Sequence, residues 1–217
     1  MVNTLLIRDA RVENKETINK YLTDENYPLT YNYVLASDGD TMSIVSNHLK
    51  SFNSEILIFD RAGNKYCYFP DAGSFDIQYI SESSEKACPA NVLRIAFDDF
   101  ENNFSICAID STKLSSYLLD MEPIGNSISN PLDDIHDYYL VKYWSKNLGR
   151  KSDIKYNINN LASLHNETKY DIGVILINTD LQEDWGLKKN GKWKIKFKMN
   201  NKYEGGLKFG DLPYKKK

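Results

Sequence analysis

At 217 residues, 41% hydrophobic and 26% charged, the chain is long and apolar enough to bury a full core, which excludes a disordered segment. Its 27 Lys and Arg against 30 Asp and Glu sum to −3, yet the window Lys188 to Lys217 alone holds 11 basic and 2 acidic residues (+9), leaving 16 basic and 28 acidic residues (−12) for the rest. Such segregation bears on partners and steering rather than on fold, while the lack of an apolar run near the ~20 residues that span a bilayer, and a Leu5–Ile7 patch too short for a signal-peptide core, predict a cytoplasmic protein.

In chain order, Leu5–Arg8 reads as a short strand and Glu13–Leu22 as a helix burying Ile18 and Leu22 at i, i+4. Leu29–Ala36 reads as a strand. Asp40, in the turn Ser37–Asp40, is placed to cap a helix running to Phe52 whose buried stripe would be Met42, Val45, Leu49 and Phe52. Glu55–Asp60 and Lys65–Phe69 flank Arg61–Asn64 as a hairpin. Phe75, Ile77 and Tyr79 alternate as a strand, and Ser81–Ala90 is a polar loop. A second hairpin is predicted from Val92–Asp98 and Phe104–Asp110, then a short helix from Ser111 to about Met121.

The stretch 122–130 contains Pro, Gly and Ser and marks a possible sub-boundary within a single domain spanning 1–217. A helix is expected from Pro131, capped by Asn130. Asp133, Asp134 and Asp137 would sit at its positive end, Lys142, Lys146 and Arg150 at its negative end, with Gly149 as the stop. Ile154–Ile158 and Tyr170–Asn178 read as strands. Gly186–Lys189 and Lys192–Met199 flank Asn190-Gly191, a hairpin signal, and Lys202–Phe209 adds a strand. Grouped hairpins with helices between them predict an α+β fold: mostly antiparallel, curved sheet packed with three or four helices.

Cys67, Cys88 and Cys107 are odd in number and form no CxxC pair, so neither a disulfide framework nor a zinc site is expected, and Cys67 and Cys107 read as buried, inert thiols. Lys192, Lys194, Lys196 and Lys198 alternate with Trp193, Ile195, Phe197 and Met199. That pattern places four lysines on one face of a strand, as an edge guard or as a stripe for an acidic surface or a phosphate backbone. The window contains no Arg, so any nucleic-acid contact would be non-specific.

Gly149–Asp153 followed by Glu167-Thr168-Lys169 resembles the signature of the PD-(D/E)xK nuclease superfamily. The resemblance covers about twenty residues, and Ser152 stands where Pro is usual. It implies that Asp153 and Glu167 bind Mg²⁺ and that Lys169 stabilises charge on the phosphate. Asp133, Asp134, His136 and Asp137 read as helix-start residues rather than as a metal cluster. No phosphate loop, nucleophile elbow or zinc-protease motif occurs.

The leading expectation is a non-catalytic protein-binding protein of the inhibitor, immunity or anti-defence type, with no cofactor. Its acidic body would dock a partner with a basic surface, and its C-terminal lysines would offer a non-specific site for nucleic acid. The alternative is the Mg-dependent nuclease using Asp153, Glu167 and Lys169.

Overall fold

The computed structural model describes residues 9–27, 31–37, 40–52, 55–68, 88–89, 93–108, 110–127, 130–133, 135–147, 151–199 and 205–216. The expected strands at Leu5–Arg8 and around Phe75–Tyr79 lie outside these residues, as does most of the 81–90 loop. Among the described residues the fold is α+β, with six α-helices and a curved, unclosed main sheet.

Strand β1 (Ala10–Glu13) leads into helix α1 (Lys15–Asp24), which buries Ile18 and Leu22. Asn14 caps α1 in a capping box: its side chain accepts from the Thr17 N–H at 2.9 Å, and Thr17 Oγ1 accepts from the Asn14 N–H. Next come β2 (Asn32–Leu35), α2 (Thr41–Leu49), β3 (Glu55–Asp60) and β4 (Lys65–Tyr68). Asp40 caps α2 through the Ser43 N–H. The buried face of α2 is Ile44 and His48; Met42 is 74% exposed. The buried face lies one step from the expected stripe, because it includes the imidazole of His48.

Cys88–Pro89 forms β5, a short addition to β3. The predicted second hairpin is only half present. Its first arm is two helices, α3 (Leu93–Asp98) and α4 (Phe100–Asn103), and its second is strand β6 (Phe104–Ile106). Phe97, Phe100 and Phe104 pack on one another and on Tyr138 and Tyr170. Leu93, Ala96, Phe97 and Phe100 are buried at the three- and four-residue spacing of a helical face, and that spacing wins over local β-propensity. Helix α5 (Leu114–Leu118) and strand β7 (Met121–Pro123) follow.

The helix expected from Pro131 is instead a single 3₁₀ turn, Pro131–Asp133, followed by the central strand β8 (Tyr138–Trp144). The charge ordering along this stretch imitated a helix dipole. The segment Tyr-Tyr-Leu-Val-Lys-Tyr-Trp is aromatic and β-branched, and burial on both faces of the sheet decides it. Conversely, the expected strand at Ile154–Ile158 is the start of helix α6 (Lys151–Glu167). Ile158, Leu161 and Leu164 are buried and Ile154 half-buried, the i, i+3/i+4 stripe of a helix.

Strand β9 (Ile172–Asn178) pairs parallel with β8 over seven residues, so β8–α6–β9 is a βαβ crossover. The main sheet runs β6-β4-β3-β8-β9-β2-β7, with β5 beside β3. Its centre, β8-β9-β2, is parallel, and the flanking pairs are antiparallel. Alternation along β8 divides the core. Tyr139, Val141 and Tyr143 face α2, α5 and the C-terminal strands; Leu140 and Trp144 face α1, α3, α4 and α6.

The remaining strands are β10 (Leu181–Gln182), β11 (Lys192–Trp193), β12 (Ile195–Met199) and β13 (Gly205–Phe209). A turn forms one residue earlier than expected: the Gly191 N–H closes it on the Lys188 carbonyl at 2.8 Å, so Lys189 and Asn190 are its central residues, with positive φ at Asn190 and not at Gly191. A Cβ at Gly191 would lie 2.7 Å from the Lys188 oxygen and 2.8 Å from Pro213, so close approach requires glycine there. Its two arms do not pair with each other as a hairpin should. Instead β11 pairs with β1, β12 pairs with β13, and Leu187 bridges Tyr214. The partners came from sequence-distant strands that local turn chemistry cannot reveal.

Cys67 and Cys107 form a disulfide, with Cα atoms 5.1 Å apart and both residues 2% exposed. This corrects the expectation of inert thiols. β4 and β6 are antiparallel neighbours, and their pairing brings together two cysteines forty positions apart. Among the described residues no helix is long and apolar enough to cross a membrane.

Candidate functional site

A cleft of about 780 Å³ opens on the α2/α5 side of the main sheet, within the size range of small-ligand sites. Its floor is apolar: Leu35 from the end of β2, Leu57 from β3 and Met121 from β7. Its walls are hydroxyls and amides, chiefly Ser37, Ser43, Asn47 and Ser116, with the phenol rings of Tyr117 and Tyr143. The walls are cross-tied: Asn47 Nδ2 donates to the Ala36 carbonyl at 3.5 Å, and the Ser37 and Ser43 hydroxyls lie 3.4 Å apart.

Among the described residues, two charged side chains line this cleft. Lys50, at the end of α2, is half-buried with its Nζ 5.7 Å from the centre of the Tyr143 ring. Burial pushes its ammonium below the usual lysine range, while the Asp120 carboxylate pulls the other way. Asp120 is exposed in the α5–β7 turn, and its backbone is anchored by the Ala36 N–H at 2.7 Å. Burial likewise raises the Tyr143 phenol well above its ordinary range, with the Tyr117 phenol adding to the shift, so Tyr143 stays protonated.

At the entry ends of the three parallel strands stands a hydroxyl–imidazole–carboxylate chain. Tyr31 precedes β2, His136 precedes β8 and Asp171 precedes β9. The Tyr31 hydroxyl lies 2.9 Å from His136 Nε2, and His136 Nδ1 lies 2.9 Å from Asp171 Oδ1. Gly173 makes room for the imidazole, since a Cβ there would lie 2.6 Å from the His136 ring. Tyr31 is only 6% exposed, which withholds its hydroxyl from a substrate. The chain pins three strand ends together.

At the exit ends of β8 and β9, Asp180 is fully buried and heavily bonded. Its carboxylate accepts from the Ser145 hydroxyl at 2.5 Å, the Lys146 N–H at 2.9 Å, and the side-chain amides of Asn147 and Asn178 at 2.9 and 2.8 Å. Four donors make this a satisfied structural hub. Beside it His48 is fully buried, its Nδ1–H donating to the Thr179 carbonyl at 2.9 Å. A carbonyl only accepts, so Nδ1 carries the hydrogen. Nε2 is then a lone pair with no partner among the described residues.

Burial lowers the His48 pKa, against the pull of Asp180 and the Thr179 bond. The unfolded chain therefore binds more protons than the native one below about pH 6.5, the ordinary value for histidine. Stability is complete above that pH and declines as pH falls through the depressed folded value. We expect the urea midpoint to fall between pH 7.5 and 5.5, and His48→Gln to flatten that slope whatever it does to absolute stability. An unchanged slope in the variant would remove His48 as the cause.

The residues singled out from sequence fare unequally. Asp153 and Glu167 sit on the same helix, fourteen positions apart, hence about 21 Å along its axis at 1.5 Å per residue. Two ligands of one cation need oxygens within about 5 Å. The side chain of Asp153 lies outside the described residues, and the separation along the helix alone far exceeds that limit. Glu167 pairs with Arg94 at 3.2 Å, and the Lys169 Nζ stands 5.1 Å from the centre of the Tyr170 ring. The nuclease signature is corrected to a helix and its exposed end. Among the described residues no group of three His, Cys, Asp or Glu is placed to hold a metal.

Of the lysine stripe, Lys192 and Lys194 are exposed while Trp193 and Ile195 are 0% and 4% exposed. The side chains of Lys196, Phe197 and Lys198 lie outside the described residues. Sequence reasoning missed the cleft altogether. Lys50 and Asp120 are seventy residues apart with no shared motif, and only the packing of α2 and α5 on one sheet face brings them to a common space. No protein-family model, curated protein or solved structure matches this chain.

Proposed function

We propose that the chain is a non-catalytic binding protein that docks a protein partner by complementary charge, as inhibitors and immunity-type proteins do. The observation that supports this reading is uncompensated charge on a folded pole. Lys188, Lys189, Lys192, Lys194, Lys208, Lys215 and Lys216 are exposed, and among the described residues none pairs with a carboxylate. These lysines are carried on strands and turns tied to the body through β1–β11 and Leu187–Tyr214, so the charge is held in place rather than on a free tail.

Seven of the body's carboxylates pair with Lys or Arg among the described residues, which weakens it as a docking face. Glu13 pairs with Lys146, Glu122 with Lys15, Asp110 with Lys65 and Asp137 with Arg61. The partner surface that fits best is therefore acidic, and the basic-surfaced partner expected from the net charge of the body ranks second. The disulfide supports residence in an oxidising compartment rather than the cytoplasm, since such bonds persist where thiols are not kept reduced.

The test compares wild type with a Lys188/Lys189/Lys192/Lys194→Glu variant. Partners are captured at about 50 mM NaCl and rechallenged at about 500 mM, where the screening length shrinks several-fold. The expected result is a protein partner whose dissociation constant rises at least tenfold with salt and in the variant. Salt-independent binding, or capture that nuclease treatment abolishes, would overturn the reading in favour of hydrophobic docking or of nucleic acid.

A further inference from the structure

We propose that the cleft between α2, α5 and the main sheet binds a small zwitterion, an amino acid with an apolar side chain, holding its carboxylate at Lys50 and its ammonium at Asp120. This site is independent of the lysine pole and of the docking reading.

The argument starts from two opposite charges that line one cavity without meeting. Lys50 and Asp120 both border the cleft, yet they form no ion pair. Both positions are fixed by the fold. Lys50 caps the end of α2 under the Tyr143 ring contact, and Asp120 is tied by its backbone to the end of β2. The Lys50 ammonium is half-buried, and the pull of Asp120 only partly offsets that burial. A ligand carboxylate supplies the rest, and restores the charge that burial disfavours.

Asp120 decides between ligand classes. A phosphate or a dicarboxylate brings two negative charges to a lining that, among the described residues, has one lysine, no arginine and one aspartate, and would be repelled. A monocarboxylate alone would leave Asp120 facing it. A zwitterion satisfies both. The floor of Leu35, Leu57 and Met121 suits an apolar side chain, and Ser116 adds a hydroxyl to the lining.

The experiment is calorimetric titration of the whole chain with three probes of one size: L-phenylalanine, 3-phenylpropionate, which lacks the amine, and phenethylamine, which lacks the carboxylate. L-Phenylalanine should bind at least tenfold more tightly than either. Lys50→Met should erase its advantage over phenethylamine, and Asp120→Asn its advantage over phenylpropionate. Asp120 is exposed, so its variant is expected to fold, and the comparison of probes on wild type needs no variant. Equal binding of the three probes, no binding of phenylalanine at millimolar concentration, or a preference unmoved by Asp120→Asn would overturn the proposal.

Discussion

Trp193→Ala should lower stability by about 3–5 kcal/mol, the range for truncating a large buried aromatic. Trp193 is 0% exposed, stacks on Phe209 with ring centres 5.1 Å apart, and meets the His48 ring edge-on at 5.6 Å. Its Nε1 donates to the Gly210 carbonyl at 2.7 Å. Truncation therefore opens a cavity and leaves a carbonyl without its donor. Trp193 also ties β11 to the segment after β13, so the variant should release the pole that displays Lys192 and Lys194. Chemical denaturation reads the first effect, and proteolysis confined to residues after about Gly186 reads the second. A loss below 1 kcal/mol would mean that the C-terminal strands are not packed on α2 as described.

Replacing Cys67 and Cys107 together by alanine should cost about 2–4 kcal/mol, because the bond closes a loop of forty residues and so restrains the unfolded chain. For a chain of this size that corresponds to a Tm drop on the order of 5–15 °C. The bond joins β4 to the residue that follows β6, the outermost strand of the main sheet on that side, so the variant should fray there first. Thiol titration of the oxidised, denatured protein should find Cys88 alone free. Three free thiols in protein purified under oxidising conditions, or a melting curve indifferent to reductant, would contradict the assignment.

The parts of the candidate site differ in how far they could be read from sequence. The exposure of Lys192 and Lys194 and the burial of Trp193 and Ile195 followed from alternation, because the two-residue period of a strand sends neighbours to opposite faces whatever strand it pairs with. The Asp40 cap was legible for the same reason: it depends on four consecutive residues. The nuclease likeness failed because spacing does not distinguish two strands from one helix. Asp153 and Glu167 have the same separation in sequence either way, and only burial of Ile158, Leu161 and Leu164 against the sheet selects the helix.

What the sequence by itself determined is local. It includes the α+β class, the Asp40 cap of α2, a turn close to Asn190 and the segregation of basic residues into the last thirty positions. These depend on contacts within a few residues or on composition. Tertiary structure alone decided that Tyr138–Trp144 is a central strand rather than a helix, that β8, β9 and β2 run parallel, that Cys67 meets Cys107, and that Lys50 and Asp120 share a cleft. The physical reason is common to all four. Burial free energy is summed over partners distant in the chain, about 25 cal/mol for each Å² of apolar surface removed from water, and a helical charge pattern worth a few tenths of a kcal/mol per residue yields when both faces of a segment can be buried at once.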